Sequence, residues 1–387
     1  MTLSQNDAFY QKVGLIARLL LFVFLVYLFL VAVKLFGTAA TVYTSYNSSV
    51  LETLASQLKN PFTGLCLGII LTALMQSSSA TTSLAVAMVA SGVIELEGAI
   101  PIAIGSNIGS ALTCSIASLM HIGGERRTFS KAFSVSLVQE IFNIITAFIC
   151  FTLEICFGFL SKTSRFLASL VPMTATGSST GSNPLSSAIS APANGIRDFC
   201  LQGMSPTFTA ALMAICGLII LIISLIYITK NMKVIMADKV EVLLNRVLSK
   251  NGYIGLLAGV IVTMTIQSSG ITTSLLVPLV VAGTLSIKTI YPIILGSNIG
   301  TTITAILAAM AFLGSPTGQL GLALALAHSL FNITGVLLFY PIPQMRVPVF
   351  LTKRLSVILT SNRFYVVCWI TMLYFVLPGL GFLLFRN

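Results

Sequence analysis

Charge is what this sequence has least of. Of its 387 residues, 8% are Asp, Glu, Lys or Arg, against about 25% in soluble proteins. Acidic residues number 10 and histidines 2. No CxxC pair occurs and neither histidine lies in a cluster of ligand types, which argues against a zinc site or a disulfide framework. The apolar stretches hold no paired carboxylates, activated nucleophile or metal cluster, which argues against a membrane enzyme. Lone apolar cysteine is the better reading of the seven Cys. The net charge of +11 could suggest nucleic acid, but the cations gather between apolar runs. Lys230, Lys233, Lys239, Arg246 and Lys250 share one stretch, Arg126, Arg127 and Lys131 another, and Arg346, Lys353, Arg354 and Arg363 a third. That is the positive-inside pattern of a membrane protein, and no nucleic-acid partner is expected.

What is present is apolar sequence, 56% of the chain. Segments 13–36, 207–229, 290–313, 319–340 and 364–385 each reach the roughly 20 residues that cross a 30 Å hydrocarbon layer as a helix. Backbone polar groups cannot go unpaired in lipid, so these spans are helical. The first is too long, and lacks a cleavage site, for a signal peptide, and reads as a retained span.

Within this apolar chain a polar phrase is written twice. QSSSATTSL at 76–84 returns as QSSGITTSL at 267–275, and PIAIGSNIGSALT at 101–113 returns as PIILGSNIGTTIT at 292–304. Phe142–Asn143 returns as Phe331–Asn332, so about ninety residues recur. The apolar arms flanking each QSS, within 61–96 and 252–288, are short for full spans. They read as re-entrant hairpins with tips near mid-membrane, two thin crossing helices being the alternative. The full spans are then 13–36, 98–120, 131–160, 207–229, 290–313, 319–340 and 364–385, with the basic stretches and N-terminus inside and the C-terminus outside. On this reading the two repeats have opposite orientation, as secondary transporters often do.

The expected fold is an all-α polytopic membrane protein with two inverted-topology repeats, each with a re-entrant helical hairpin and a broken transmembrane helix. The expected divisions are a first span and external loop (1–60), repeat one (61–160), an external Ser/Gly/Pro-rich linker (161–206), a linking span and basic cytoplasmic loop (207–250), repeat two (251–345), and a cytoplasmic loop with the last span (346–387).

Helix ends at a hairpin tip offer carbonyls to a cation and N–H groups to an anion. Gln76, Ser77, Ser78 and Ser79 on one tip, and Gln267, Ser268 and Ser269 on the other, could wrap a tetrahedral oxyanion with neutral donors. Gly270 replaces the third serine of the second tip. The GSNIG runs read as breaks, with Gly105 and Gly109 permitting unusual backbone and Asn107 capping or coordinating. Ser297, Asn298, Thr301, Thr302 and Thr304 crowd oxygens suited to a hard cation. The bland alternative for every small or hydroxyl residue is helix packing. Glu140, inside a span beside Gln139, is expensive unless it faces protein or water, and could hold a cation or a proton. His328 fits polar packing as well as binding.

These motifs, with AHSLFNITGVLLFYPIP at 327–343, resemble the type II sodium-phosphate cotransporter family over roughly 60–160 and 250–380. The resemblance implies sodium-driven uptake of inorganic phosphate, chiefly divalent. It places phosphate at Gln76, Ser77, Ser78, Ser79, Gln267, Ser268 and Ser269. It places one sodium at Gln267, Ser268, Ser297, Thr301 and Thr304, and another around Glu125, Asn143 and Ser297. Glu140 stands where electrogenic animal members carry Asp; Asn107, Asn298, Thr302 and Asn332 would support these sites. No cofactor is implied beyond sodium as the coupling ion, and the partners are phosphate, sodium and lipid. The short external loop without a cysteine pair, and the chain's end, fit a bacterial member in the inner (plasma) membrane. A dimer is one option for its assembly. Alternatives from the residues alone are another oxyanion (sulfate, arsenate), proton coupling through Glu140, and a passive channel.

Overall fold

In this computed structural model the described residues are 5–47, 49, 53, 56–171, 184–247, 251–312 and 314–386, with side chains for all of these except 5–13, 185 and 236–247. No strand occurs among them. Long α1 (Gln5–Tyr46) is followed by a hairpin of α2 (Pro61–Met75) and α3 (Ser78–Ala90). Next come α4 (Leu96–Ser110), α5 (Leu112–Leu119), α6 (Arg126–Phe157), α7 (Phe159–Ser169) and α8 (Pro184–Gly203). After α9 (Pro206–Val247), a second hairpin pairs α10 (Gly252–Ile266) with the short α11 (Ser269–Ser274) and α12 (Val277–Val281). The chain closes with α13 (Ile287–Thr301), α14 (Ile303–Met310), α15 (Gly318–Phe339), α16 (Val347–Leu359), α17 (Arg363–Thr371), a π turn, and α18 (Leu377–Phe385).

Seven helical stretches among the described residues are long and apolar enough to cross a membrane. They lie where the sequence puts the full spans. The hairpin arms do not qualify: fifteen residues of α2 or α10 rise only about 22 Å. Both hairpins begin with the same cap. Asn60 accepts a hydrogen bond from the Phe62 amide and Asn251 from the Tyr253 amide, at 3.1 and 3.3 Å. Behind each tip the arms are pinned alike, Thr72 Oγ1 donating to Thr81 Oγ1 at 2.9 Å and Thr263 Oγ1 to Thr272 Oγ1 at 3.0 Å.

Several expectations need correction. The basic stretch after 229 is not a loop, since α9 continues to Val247. Lys and Arg are good helix formers, so charge marks a side of the membrane without ending a helix. Lys239 and Arg246 fall where side chains are not described, and Lys250 lies outside the described residues. The third basic stretch is largely α16. Of the expected linker, 172–183 lie outside the described residues, while Pro184–Gly203 is helical and buries Ile189, Ala193 and Cys200. The returning arm of hairpin two is interrupted at Leu275–Leu276, just before Pro278. A proline cannot donate to the preceding turn.

The GSNIG runs are helical rather than unwound. The interruption falls two residues past each run, at Ala111 and Thr302, both with right-handed backbone angles. The glycines serve close approach. A Cβ at Gly105 would lie 2.1 Å from the Leu65 carbonyl oxygen, and one at Gly296 would lie 1.9 Å from that of Leu256. Gly68 and Gly259 meet the carbonyl oxygens of Ile102 and Ile293 in the same way. Small residues four apart thus seat α4 on α2 and α13 on α10, the usual means of joining helices in lipid. Gly296→Ala is therefore expected to destabilise the protein by about 1–3 kcal/mol in thermal unfolding. Gly195→Ala, with nothing within 4 Å, should leave it unchanged or slightly stabilised.

Candidate oxyanion and cation site

Each hairpin turns on its glutamine. Gln76 (φ 52°) and Gln267 (φ 60°) are the non-glycine residues with left-handed backbone among those described. Such residues cost about 1–3 kcal/mol, and are held in place by their surroundings. Gln76 Nε2 donates to the Ala73 carbonyl at 2.6 Å, satisfying an end of α2. At the second tip the backbone N–H of Gln267 donates to the Thr263 carbonyl at 2.6 Å. The next residue opens the returning helix. Ser77 Oγ accepts from the Ala80 amide at 3.2 Å, and Ser268 Oγ from the Ile271 amide at 3.3 Å. Helix geometry then leaves the amides of Ser78 and Ser79, and of Ser269 and Gly270, without a partner in their own helix.

The two tips meet although 188 residues separate Ser79 from Gln267: Ser79 Oγ donates to the Gln267 carbonyl at 3.2 Å and to Thr304 Oγ1 at 3.4 Å. All seven QSS residues, with Ser110, Thr113 and Gly270, line one small cavity of about 20 Å³. That is room for about one water. A tetrahedral oxyanion enters only if the tips part. Thr113 touches both tips, since its Oγ1 donates to Gln76 Oε1 at 3.3 Å and its Cβ lies 2.8 Å from where a Cβ on Gly270 would sit. This explains why the second tip carries glycine in place of the third serine. On one side, a cavity of about 350 Å³ reaches Gln76, Ser77, Gln267 and Ser268 and is bounded by Lys230 and Lys233 of α9.

The expected cation residues separate into three groups. Gln267 Oε1 and Ser297 Oγ are buried without a hydrogen-bond partner among the described residues, which suits an oxygen-seeking ion. Thr304 adjoins Ser79, whereas Thr301 and Thr302 donate to their own helix, to Ser297 and Ile299 at 2.9 and 2.8 Å.

The amides form a second group. Gln139 Nε2 donates to Asn298 Oδ1 (2.9 Å), Asn298 Nδ2 to Asn143 Oδ1 (2.7 Å), Asn143 Nδ2 to the Asn107 carbonyl (2.5 Å), and Asn332 Nδ2 to Asn107 Oδ1 (3.2 Å). This buried ladder ties α4, α6, α13 and α15 together. Asn143 is a rung in it, with both ends of its amide engaged. Asn143→Ala would leave the buried Asn298 Nδ2 unpaired, while the Asn107 carbonyl keeps the Ser110 hydroxyl at 2.7 Å, at about 1–3 kcal/mol for the unsatisfied group, read as a loss of thermal stability.

Glu140 heads the third group. Its Oε1 accepts from Ser115 Oγ and its Oε2 from Trp369 Nε1 at 2.8 Å. Trp369 therefore ties the last span to α6, and the sequence, with a separation of 229 between the two, contains no signal of it. Glu125 is a correction. It is exposed at the N-terminus of α6, about 27 Å of helix from Asn143, so the two cannot share an ion. His328 is fully buried in α15 with neither ring nitrogen partnered among the described residues.

Comparison with known proteins points one way. Residues 28–171 and 220–346 match the family described as Na+/Pi-cotransporter. The chain is 31% identical to sodium-dependent phosphate transport protein 2A of Ovis aries, over 84% of this chain and 61% of that one. It is 32% identical to the 2A protein of Mus musculus over 84% and 61%, and 26% identical to the 2B protein of Homo sapiens over 96% and 65%. It thus spans about three fifths of the length of these curated relatives. No solved structure matches it. With well over half of the sequence matched and the same polar phrases on both hairpin tips, this chain belongs to the Na+/Pi-cotransporter family.

Proposed function

We propose that the chain is a sodium-coupled secondary transporter that takes up inorganic phosphate through the plasma membrane by alternating access. The observation that carries this reading is the hydrogen bond from Ser79 to Gln267, which joins the two tips around neutral donors. Phosphate is held between them by the serine hydroxyls, the glutamine amides and the free amides at the starts of α3 and α11. The longer α3 contributes more of the dipole field than the six residues of α11. Sodium sits among Gln267, Ser268, Ser297 and Thr304, supplying the countercharge that neutral ligands lack. Glu140 is a further cation ligand or a fixed charge beside the path.

Residues 61–160 and 251–345 act as inverted halves, with the N-terminus and the Lys230–Lys233 side cytoplasmic and the C-terminus outside. The cavity beside Lys230 and Lys233 is then the inner vestibule. The small volume between the tips requires that they separate to load and close to carry. If net charge moves, the membrane potential contributes about 2.3 kcal/mol per charge per 100 mV. Radiolabelled phosphate uptake into proteoliposomes tests the reading. An inward sodium gradient should stimulate saturable uptake over an equal potassium gradient, and arsenate, nearly the same shape, should compete. Equal uptake in both salts would defeat sodium coupling, and flux that does not saturate would indicate a passive channel.

A further inference from the structure

We infer that a second oxyanion site lies at the opposite end of the bundle from Lys230, in a cavity of about 440 Å³ whose walls include Lys34 and Arg197. The cavity is framed by α1, the end of α3, α8 and the turn between α14 and α15. Lys34 is the central observation. It lies in the first apolar span, where an ionisable side chain is retained for a purpose and has a partner. Among the described residues no carboxylate pairs with it. Its ammonium rests 4.6 Å from the centroid of the Phe312 ring, a contact that orients a cation without neutralising it.

The other donors fit an anion. Asn194, one helical turn before Arg197 on α8, lines the same space. Arg197 uses Nε on Asp198 at 2.8 Å, which leaves its terminal amines. The hydroxyls of Thr38, Ser91 and Ser190 donate to carbonyls of their own helices. With their protons so engaged they can meet at most the one protonated oxygen of monohydrogen phosphate, and the anionic oxygens are left to Lys34, Asn194 and Arg197. The chemistry is that of a phosphate-like oxyanion, held weakly. The occupant is the dissolved ion, since the lining comes from packed helices and the large exposed apolar residues of α8, Ile196 and Phe199, are absent from it.

Position gives the site a use. Ala90, at the cavity wall, ends the helix that starts at the first tip, and Ser79 lies eleven residues back along it, about 16 Å. Phe312 follows directly on α14, which carries Thr304 near its start. The cavity is an antechamber that concentrates phosphate before it reaches the tips. That role rests on the proposed function; the binding itself does not.

The binding test is the 31P NMR line of inorganic phosphate with purified full-length protein in lipid-free detergent and sodium-free potassium buffer. Wild type should broaden the line. Lys34→Gln and Arg197→Gln should each remove about half of the broadening or more, Lys34→Arg should restore it, and Ser79→Ala with Ser269→Ala should retain it. Wild-type broadening in both glutamine variants overturns the site. Loss of broadening in nanodiscs of phosphatidylglycerol but not phosphatidylcholine would assign the cavity to a lipid headgroup and overturn the dissolved-ion claim. In proteoliposomes that show sodium-driven uptake, Lys34→Gln should raise the KM for phosphate about threefold or more with the maximal rate unchanged. An unchanged KM removes the antechamber role and leaves sodium-coupled transport standing.

Discussion

Ser79→Ala is expected to lower sodium-driven phosphate uptake by about 10- to 100-fold. On the proposed reading the hydroxyl is one donor among several to a charged ligand, and such a bond contributes about 1.5–3 kcal/mol, each 1.4 kcal/mol being tenfold. The fold should survive, because the hydrogen bonds that the hydroxyl makes within the protein are long, at 3.2 and 3.4 Å. Ser269→Ala, three percent exposed like Ser79, should behave alike from the opposite tip, and the double variant should carry no measurable flux. At Gln76 the cleaner probe is glycine rather than alanine. The backbone there is left-handed, which glycine adopts freely and alanine does not, so Gln76→Gly removes the amide while keeping the turn. Near-normal uptake in Ser79→Ala, Ser269→Ala and Gln76→Gly, with monodisperse protein by size-exclusion chromatography, would remove the tips from the binding site.

Glu140→Gln is expected to abolish or strongly right-shift sodium activation while leaving the protein folded. The side chain keeps its length. Its amide oxygen can still accept from Trp369, and the Ser115 hydroxyl can rotate to accept from the new amide, so no buried donor is orphaned. On the proposed reading, what disappears is the acidic group beside the path of a cation. Glu140→Leu, by contrast, strands the indole N–H, while the Ser115 hydroxyl keeps the Ala111 carbonyl at 3.2 Å, and should lose about 1–3 kcal/mol. Trp369 is the only tryptophan and reports the contact directly: its fluorescence should change in both variants. Uptake in Glu140→Gln with wild-type sodium dependence would reduce Glu140 to a structural anchor for the last span.

The seven long spans could be read from apolar length, and the tips from polar letters repeated where apolar ones drift. Asn60 and Asn251, capping both hairpins, extend the repeat into geometry. GSNIG could not be read correctly, because glycine serves close packing and unusual backbone equally well. Only the 1.9–2.1 Å clash at Gly105 and Gly296 separates the two. The amide ladder was half visible: its letters stood out, but not that Asn298 reaches Asn143 across 155 residues. Thr113 stands in the repeated phrase opposite Thr304, but its contact with both tips, like the pairing of Trp369 with Glu140, is set by tertiary packing alone. The charge pattern misled about backbone, as α9 and α16 are helical through stretches rich in Lys and Arg.

The most direct test of a shared two-tip site is thiol protection. Ser77 and Ser268 each line both the small cavity and the adjoining vestibule, so a cysteine at either is reachable, in a background with the exposed Cys156 replaced by serine. One anion gripped by both tips should shield Ser77→Cys and Ser268→Cys from a methanethiosulfonate reagent over the same phosphate concentrations, and only when sodium is present. Shielding of one position alone, or shielding indifferent to sodium, would contradict it.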